Sequence, residues 1–317
     1  DWSSDVCSSD REAGGDEAAL RSARIIMAWQ DGDHHDLARN LDALERLGGD
    51  PVLIRRFRAL LASKTDGDDA ATLRLLQEAV RDSGPIPELM HALAGRYLAL
   101  GLPELAESWY RKTRTVEAGH EEAYLGEIAA AEALAAEGDA RAHSRLRSLY
   151  PVYLDRWGDN WAIRREWALF LVKDESHARA AAELELLLAK ESGNASLRRV
   201  LAYSYRKAGR YRDAAMLLKR LLREDPKNLG LLLEFTGCLE RSGAGALAAE
   251  VLRKALPLFR KSAVPRLALG DMLYREKRIE AALDAYREAA AADGRDPRPY
   301  RRMAAVYRST GAAEQAA

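Results

Sequence analysis

The sequence predicts an all-α fold, a solenoid of stacked antiparallel helix hairpins. Apolar residues recur at helical spacing in short segments, Gly- or Pro-containing breaks separate those segments, and from Ala195 the whole pattern returns every 34 residues. In Ala195–Pro226, Leu197, Val200, Leu201, Ser204 and Tyr205 share one helical stripe. Gly209 interrupts it, and Ala214, Leu217, Leu218 and Leu221 resume it before Asp225-Pro226. Moving forward by 34 residues converts Leu201, Ala202 and Tyr205 into Phe235, Thr236 and Leu239, then Leu269, Gly270 and Leu273, then Met303, Ala304 and Tyr307. Gly209 becomes Gly243, Lys277 and Gly311, and Ala214 becomes Ala248, Ala282 and Ala316.

The elements follow in order. DWSSDVCSSD at the start shares no periodicity with the rest and resembles one frame of a sequencing-adaptor oligonucleotide translated as protein. It is set aside from the fold, the alternative being a natural Ser/Asp-rich tail. On the adaptor reading the natural N-terminus and any signal peptide are missing, so no compartment is assigned. Asp16–Gln30 and His35–Leu47 form a first pair around Asp31-Gly32-Asp33, and Pro51–Ser63 and Asp69–Arg81 a second around Thr65-Asp66-Gly67. Pro87–Leu100 and Pro103–Arg114 make a third, with Leu93, Ala94, Tyr97, Gly101, Ala106 and Tyr110 in the relative places of the 195 unit. Glu121–Glu137 and Ala140–Arg156 are longer than the repeat allows. Trp161–Val172 and His177–Lys190 restore the register, which then runs through starts at 195, 229, 263 and 297.

This pattern resembles the tetratricopeptide repeat, whose unit asks for Leu-Gly or Leu-Ala at positions 7 and 8, an aromatic or Leu at 11 and 24, Gly at 15 and Ala at 20. The resemblance is strict over 161–317 and loose over 16–160, where the long unit at 119–160 reads either as an insertion or as a divergent repeat. Arg164 and Arg198 stand where Trp or Leu is usual, and Glu175 and Lys277 replace the turn Gly. The implied fold is a right-handed superhelix in which each hairpin is covered by the next. The last unit reaches only position 21 at Ala317, so Met303 and Tyr307 are expected to be partly exposed and the natural chain to continue.

Composition limits the chemistry. No run approaches the roughly 18 uncharged apolar residues of a membrane span. The formal charge is zero, yet residues 1–160 hold 19 Lys/Arg against 29 Asp/Glu and residues 161–317 hold 30 against 20. Such asymmetry orients partners or self-association. Apart from Cys7 the only thiol is Cys238, on the apolar side of a helix, which excludes a disulfide framework and suits a buried structural Cys. His34-His35 lacks further ligands at metal spacing, and Glu117, His120 and Glu121 fit a loop and a helix start. No phosphate loop or nucleophile elbow is present. The sequence is therefore read as non-catalytic, with no cofactor and no metal.

What remains is surface. In the family the first helices line a concave groove through positions 2, 5, 9 and 12. Here these positions offer Arg165 from the unit at 161; Arg199, Tyr203 and Arg206 from 195; Leu233 from 229; Leu267 and Tyr274 from 263; and Arg301 from 297. This apolar and cationic stripe suits an extended or helical peptide with apolar and some acidic side chains. Position 13 adds Lys173, Lys207, Arg241 and Arg275, assigned instead to the helix C-terminal dipole, where a cation contributes about 0.3–1 kcal/mol. For the stripe itself, binding and plain solvation both stand. The groove has no Asn for the carboxylate clamp with which some members hold chaperone tails. Nucleic acid is disfavoured because Glu240 and Asp271 dilute the cations. The expected role is a protein-interaction scaffold. The alternatives are the repeat portion of a larger bacterial-type envelope polysaccharide-export or secretion assembly protein, and the regulatory arm of an enzyme whose catalytic domain lies elsewhere.

Overall fold

The computed structural model describes residues 2–65, 69–158 and 160–311, with side chains from residue 16 onward. The expected turn at Asp66-Gly67, the side chain of Cys7, and Asp159, Ala316 and Ala317 lie outside them. The chain divides into two compact units, 1–159 and 160–317. Among the described residues both are built of helices, without strands, and no helix is long and apolar enough to cross a membrane.

The first unit holds α1 (Trp2–Gln30), α2 (His34–Arg46), α3 (Pro51–Lys64), α4 (Asp69–Ser83), α5 (Pro87–Ala99), α6 (Pro103–Val116), α7 (Glu121–Ala136) and α8 (Ala140–Trp157). The backbone of α1 is helical well upstream of Asp16, where the periodicity begins, since no Pro lies between Trp2 and Gln30 to stop it. Each helix packs on the next in sequence, so contacts stay local. Prolines open α3, α5 and α6, where a missing N–H costs nothing. The core runs through Leu37, Leu41 and Leu44 of α2, Phe57 and Leu60 of α3, Leu76 of α4, and Leu89 and Leu93 of α5. At the longer end, the buried Glu107 and Glu127 are held between α6, α7 and α8 by Arg111, Arg114 and Arg145.

His120 caps α7, its Nδ1 accepting from the Ala123 N–H at 3.3 Å, and its ring stacks on His91 at 5.1 Å. Burial, then the neighbouring His120, holds His91 down to about 4; Lys64 acts in the same direction and Glu122 against it. The Tyr110 ring closes the other side at 5.4 Å. A histidine that stays neutral in the folded chain binds its proton in the unfolded one between about pH 4 and 6.5. Its contribution to stability is therefore complete above the unfolded value and lost as pH falls through that window, roughly 1–3 kcal/mol after solvent screening. Thermal melts from pH 7 to pH 4.5 should show the wild type losing more than His91→Leu by that difference; parallel curves would refute it.

The second unit holds α9 (Trp161–Lys173), α10 (His177–Lys190), α11 (Ala195–Lys207), α12 (Tyr211–Glu224), α13 (Leu229–Arg241), α14 (Gly245–Ala255), α15 (Val264–Arg275), α16 (Ile279–Ala292) and α17 (Arg298–Thr310). Repeat positions form its interior: Trp167, Leu201, Tyr205, Phe235 and Leu273 are buried beside Ala180, Ala214, Ala248 and Ala282, whose small side chains let paired helices approach. Three first helices share one start signal. Asn160, Asn194 and Asn228, 34 residues apart, each accept a backbone N–H three residues on, from Ile163, Leu197 and Leu231. These asparagines are thereby committed to the backbone. Pro257, which has no N–H to donate, follows the early end of α14, and Leu256–Phe259 tightens into a 3-10 turn. Met303 and Tyr307 are half-buried, and Val306 is the fully covered apolar side chain beside them.

The turn position after each first helix is left-handed whether or not it is Gly. Gly209 and Gly243 have φ of 78° and 86°, and Glu175 and Lys277 take 57° and 60°. A side chain there costs roughly 1–2 kcal/mol, part of which a Gly returns through unfolded-chain entropy. Glu175→Gly and Lys277→Gly should each stabilise by about 0.5–1 kcal/mol in chemical denaturation; a loss of stability in either would refute the strain.

Candidate interaction groove

The surface of interest is built where α11 faces α13. On α11, the repeat directs Leu201, Ala202 and Tyr205 inward, and the intervening positions Tyr203, Arg206 and Lys207 therefore point to the opposite side. On α13, burial of Phe235, Thr236 and Leu239 likewise turns Leu233, Gly237 and Arg241 toward α11. Between them lies a cavity of about 500 Å³, lined also by Glu234 and Cys238.

Tyr203 is 37% exposed and forms one wall. Its ring meets His177 of α10 edge-on at 5.6 Å, and Arg206 and Lys207 stand 5.7 Å from its centre. Both cations can thus approach an aromatic face without a carboxylate partner. Opposite, Arg241 donates to the Tyr211 hydroxyl at 2.9 Å and lies over that ring at 5.4 Å, which fixes its direction. Gly237 leaves the floor open, since a Cβ there would meet nothing within 4 Å. Cys238 is 1% exposed, and burial pushes its thiol up, so it contributes bulk rather than reactivity.

Of the residues expected from the stripe, the cavity gathers Tyr203, Arg206 and Leu233. Arg199, one turn before Tyr203, is exposed and makes no hydrogen bond or ion pair among the described residues, but does not line the cavity. Arg165 is paired with Glu191. Tyr274 is exposed, its hydroxyl donating to Ser309 at 3.0 Å, and Arg301 is exposed on α17. Leu267 is not a surface residue: α15 comes into direct contact with α13, and Leu267 is 7% exposed. Lys207 and Arg241 belong to the cavity instead, although the helix dipole alone accounts for their position in sequence. The recurrence of a cation at position 13 was the available signal.

The acids of the stripe also differ from expectation. Glu240 is held by Arg275 at 2.6 Å. Asp271 accepts from the Tyr286 hydroxyl at 2.8 Å and from Arg302 at 3.1 Å. Neither dilutes the cations of the cavity, where Glu234 is the carboxylate present.

Comparison with known proteins adds a family and several folds. The family described as tetratricopeptide repeat matches residues 205–269, which include α12, α13 and the cavity's α13 wall. No curated protein matches the chain in sequence. Solved structures that resemble it include residues 41 to the end of MamA from Desulfovibrio magneticus RS-1, 20% identical over 55% of this chain and 95% of that one, with a TM-score of 0.39. A thermophilic TPR protein of Thermus thermophilus is 22% identical over 54% and 90%, at 0.33. The C-terminal part of a TPR repeat-containing protein from Cytophaga hutchinsonii is 12% identical over 77% and 96%, at 0.43. Repeats of this family are generally non-catalytic modules that bind other proteins. Residues 205–269 of this chain thus match the tetratricopeptide repeat, and the same 34-residue unit is packed on either side of them.

Proposed function

We propose that the chain is a non-catalytic scaffold whose second unit binds a partner segment in the groove between α11 and α13. One observation carries the reading: three cations with no carboxylate partner among the described residues meet Tyr203 and Leu233 around an open cavity. Solvated cations on a helical surface are normally offset by acids a turn away. Here Glu240 and Asp271 are engaged elsewhere and Glu234 alone lines the cavity, which leaves net positive potential for an incoming acidic side chain, with Tyr203 supplying rigid apolar contact. The segment it fits is extended or helical and pairs apolar with acidic residues. The commitment of Asn160, Asn194 and Asn228 to helix starts speaks against the carboxylate clamp of chaperone-tail binders.

The test is a peptide array carrying Leu with Asp or Glu at varied spacing, probed with the full chain and with Arg199, Tyr203 and Arg206 changed together to Ala. The triple variant should lose at least tenfold in affinity while keeping its helical content, and wild-type binding should weaken with salt. Equal retention of the same peptides by both proteins would end the groove reading.

A further inference from the structure

The cavity between α11 and α13 is more selective in charge than recognition of an acidic side chain requires. Among the described residues Arg206, Lys207 and Arg241 line it without a carboxylate partner, whereas the nearby cations Arg165, Arg210 and Arg275 are engaged by Glu191, Glu185 and Glu240. Against these three cations stands one carboxylate, Glu234. The excess is two positive charges around the cavity. A single Asp or Glu brings one negative charge and two oxygens. A phosphate monoester brings about −1.5 to −2 and three strong acceptor oxygens at pH 7, and forked Arg donors suit it. The donors are also spread for such a group: Arg206 and Lys207 approach from the Tyr203 side, and Arg241 from the Tyr211 side, where its guanidinium is already oriented. Gly237 adds no side chain to the space between them.

We infer that this cavity is a receptor for a phosphate monoester on a phosphorylated side chain of the partner segment, with Tyr203 and Leu233 taking an adjacent apolar residue. The inference rests on the groove reading above and narrows its ligand to a dianion. Phosphorylation of the partner then acts as the switch for docking, because the unmodified hydroxyl leaves the excess of two positive charges without a counter-charge.

The experiment uses the full chain and three fluorescent peptides, identical except for a central Ser, Glu or phosphoserine beside a Leu. The phosphopeptide should bind at least tenfold more tightly than the Glu peptide. Its affinity should fall between pH 7.5 and 5.5, through the second phosphate ionisation near about 6, while the Glu peptide stays level. Arg206→Gln and Arg241→Gln should each cost the phosphopeptide about tenfold, and Lys207→Gln, at an exposed helix end, gives the same reading should either Arg variant fail to fold. If Glu and phosphoserine peptides bind equally and both depend on these residues, the phosphate inference falls and the groove reading stands. If neither binds, or if binding survives Arg206→Gln, Lys207→Gln and Arg241→Gln made together, both fall. Free O-phosphoserine competing as well as the phosphopeptide would keep the phosphate chemistry but overturn the partner segment as its source. Tighter binding of a single-stranded oligonucleotide would overturn the inference in favour of phosphodiesters.

Discussion

Gly270→Ala is expected to lower the stability of the second unit by about 2 kcal/mol, although Ala is the better helix former by about 1 kcal/mol. A Cβ at Gly270 would lie 2.4 and 2.7 Å from two ring carbons of Tyr286. That ring is 1% exposed, and its hydroxyl is tied to Asp271, so it cannot swing aside. Overpacking of this kind costs about 1–3 kcal/mol, occasionally more, and here must exceed the helix-propensity gain. The other repeats point to the remedy. Ala168 pairs in sequence register with Leu184, and Ala202 with Leu218, so a small-plus-aromatic pair at 270 and 286 replaces Ala-plus-Leu elsewhere. Gly270→Ala with Tyr286→Leu should therefore be more stable than the sum of the two single changes, by at least about 1 kcal/mol in a double-mutant cycle. Additive effects would show that the two positions do not share space.

Arg198→Ala is expected to cost about 2–3 kcal/mol, and Arg198→Leu less than about 1 kcal/mol. Arg198 occupies position 4, where the family prefers an apolar residue, and is only 4% exposed. Its guanidinium donates to the Gly193 carbonyl at 2.9 Å and pairs with Glu224, which is 48% exposed. Truncation to Ala opens a void between α11 and the preceding loop, whereas the carbonyl of the exposed Gly193 loses its donor in either variant. The Glu224 charge, being half in water, needs little compensation. Leu refills the void, and the structure already tolerates it one repeat on, where Leu232 is 1% exposed at the same position. Chemical denaturation of both variants settles this. Equal losses for Ala and Leu would mean that the ion pair, not the packed volume, supports this site.

Much of the fold was legible because tetratricopeptide packing is local. Within each unit a helix meets its sequence neighbours, so the spacing of Leu201, Ala202, Tyr205 and Ala214 names both sides of a contact within one repeat. Helix ends were legible where a residue has one physical use there, such as Pro51 and Pro87 at first positions. The start of α1 was less so, since the periodicity that marks helices is silent about apolar-poor stretches.

The groove was legible only in part. The repeat period determined that Tyr203, Arg206 and Leu233 would share one side, because a 34-residue register fixes which face of each first helix is free. It also assigned Lys207 and Arg241 to the helix dipole, a local effect that a sequence displays in full. The tertiary structure brought them into one cavity, since Arg241 takes its direction from Tyr211, 30 residues earlier and on another helix. It also took Leu267 out of the surface and neutralised Glu240 and Asp271 through Arg275, Arg302 and Tyr286. Repeat pattern alone thus determined the architecture, whose contacts are near in sequence. Which charges remain unpaired depends on side-chain reach between helices, and the packed structure decided that.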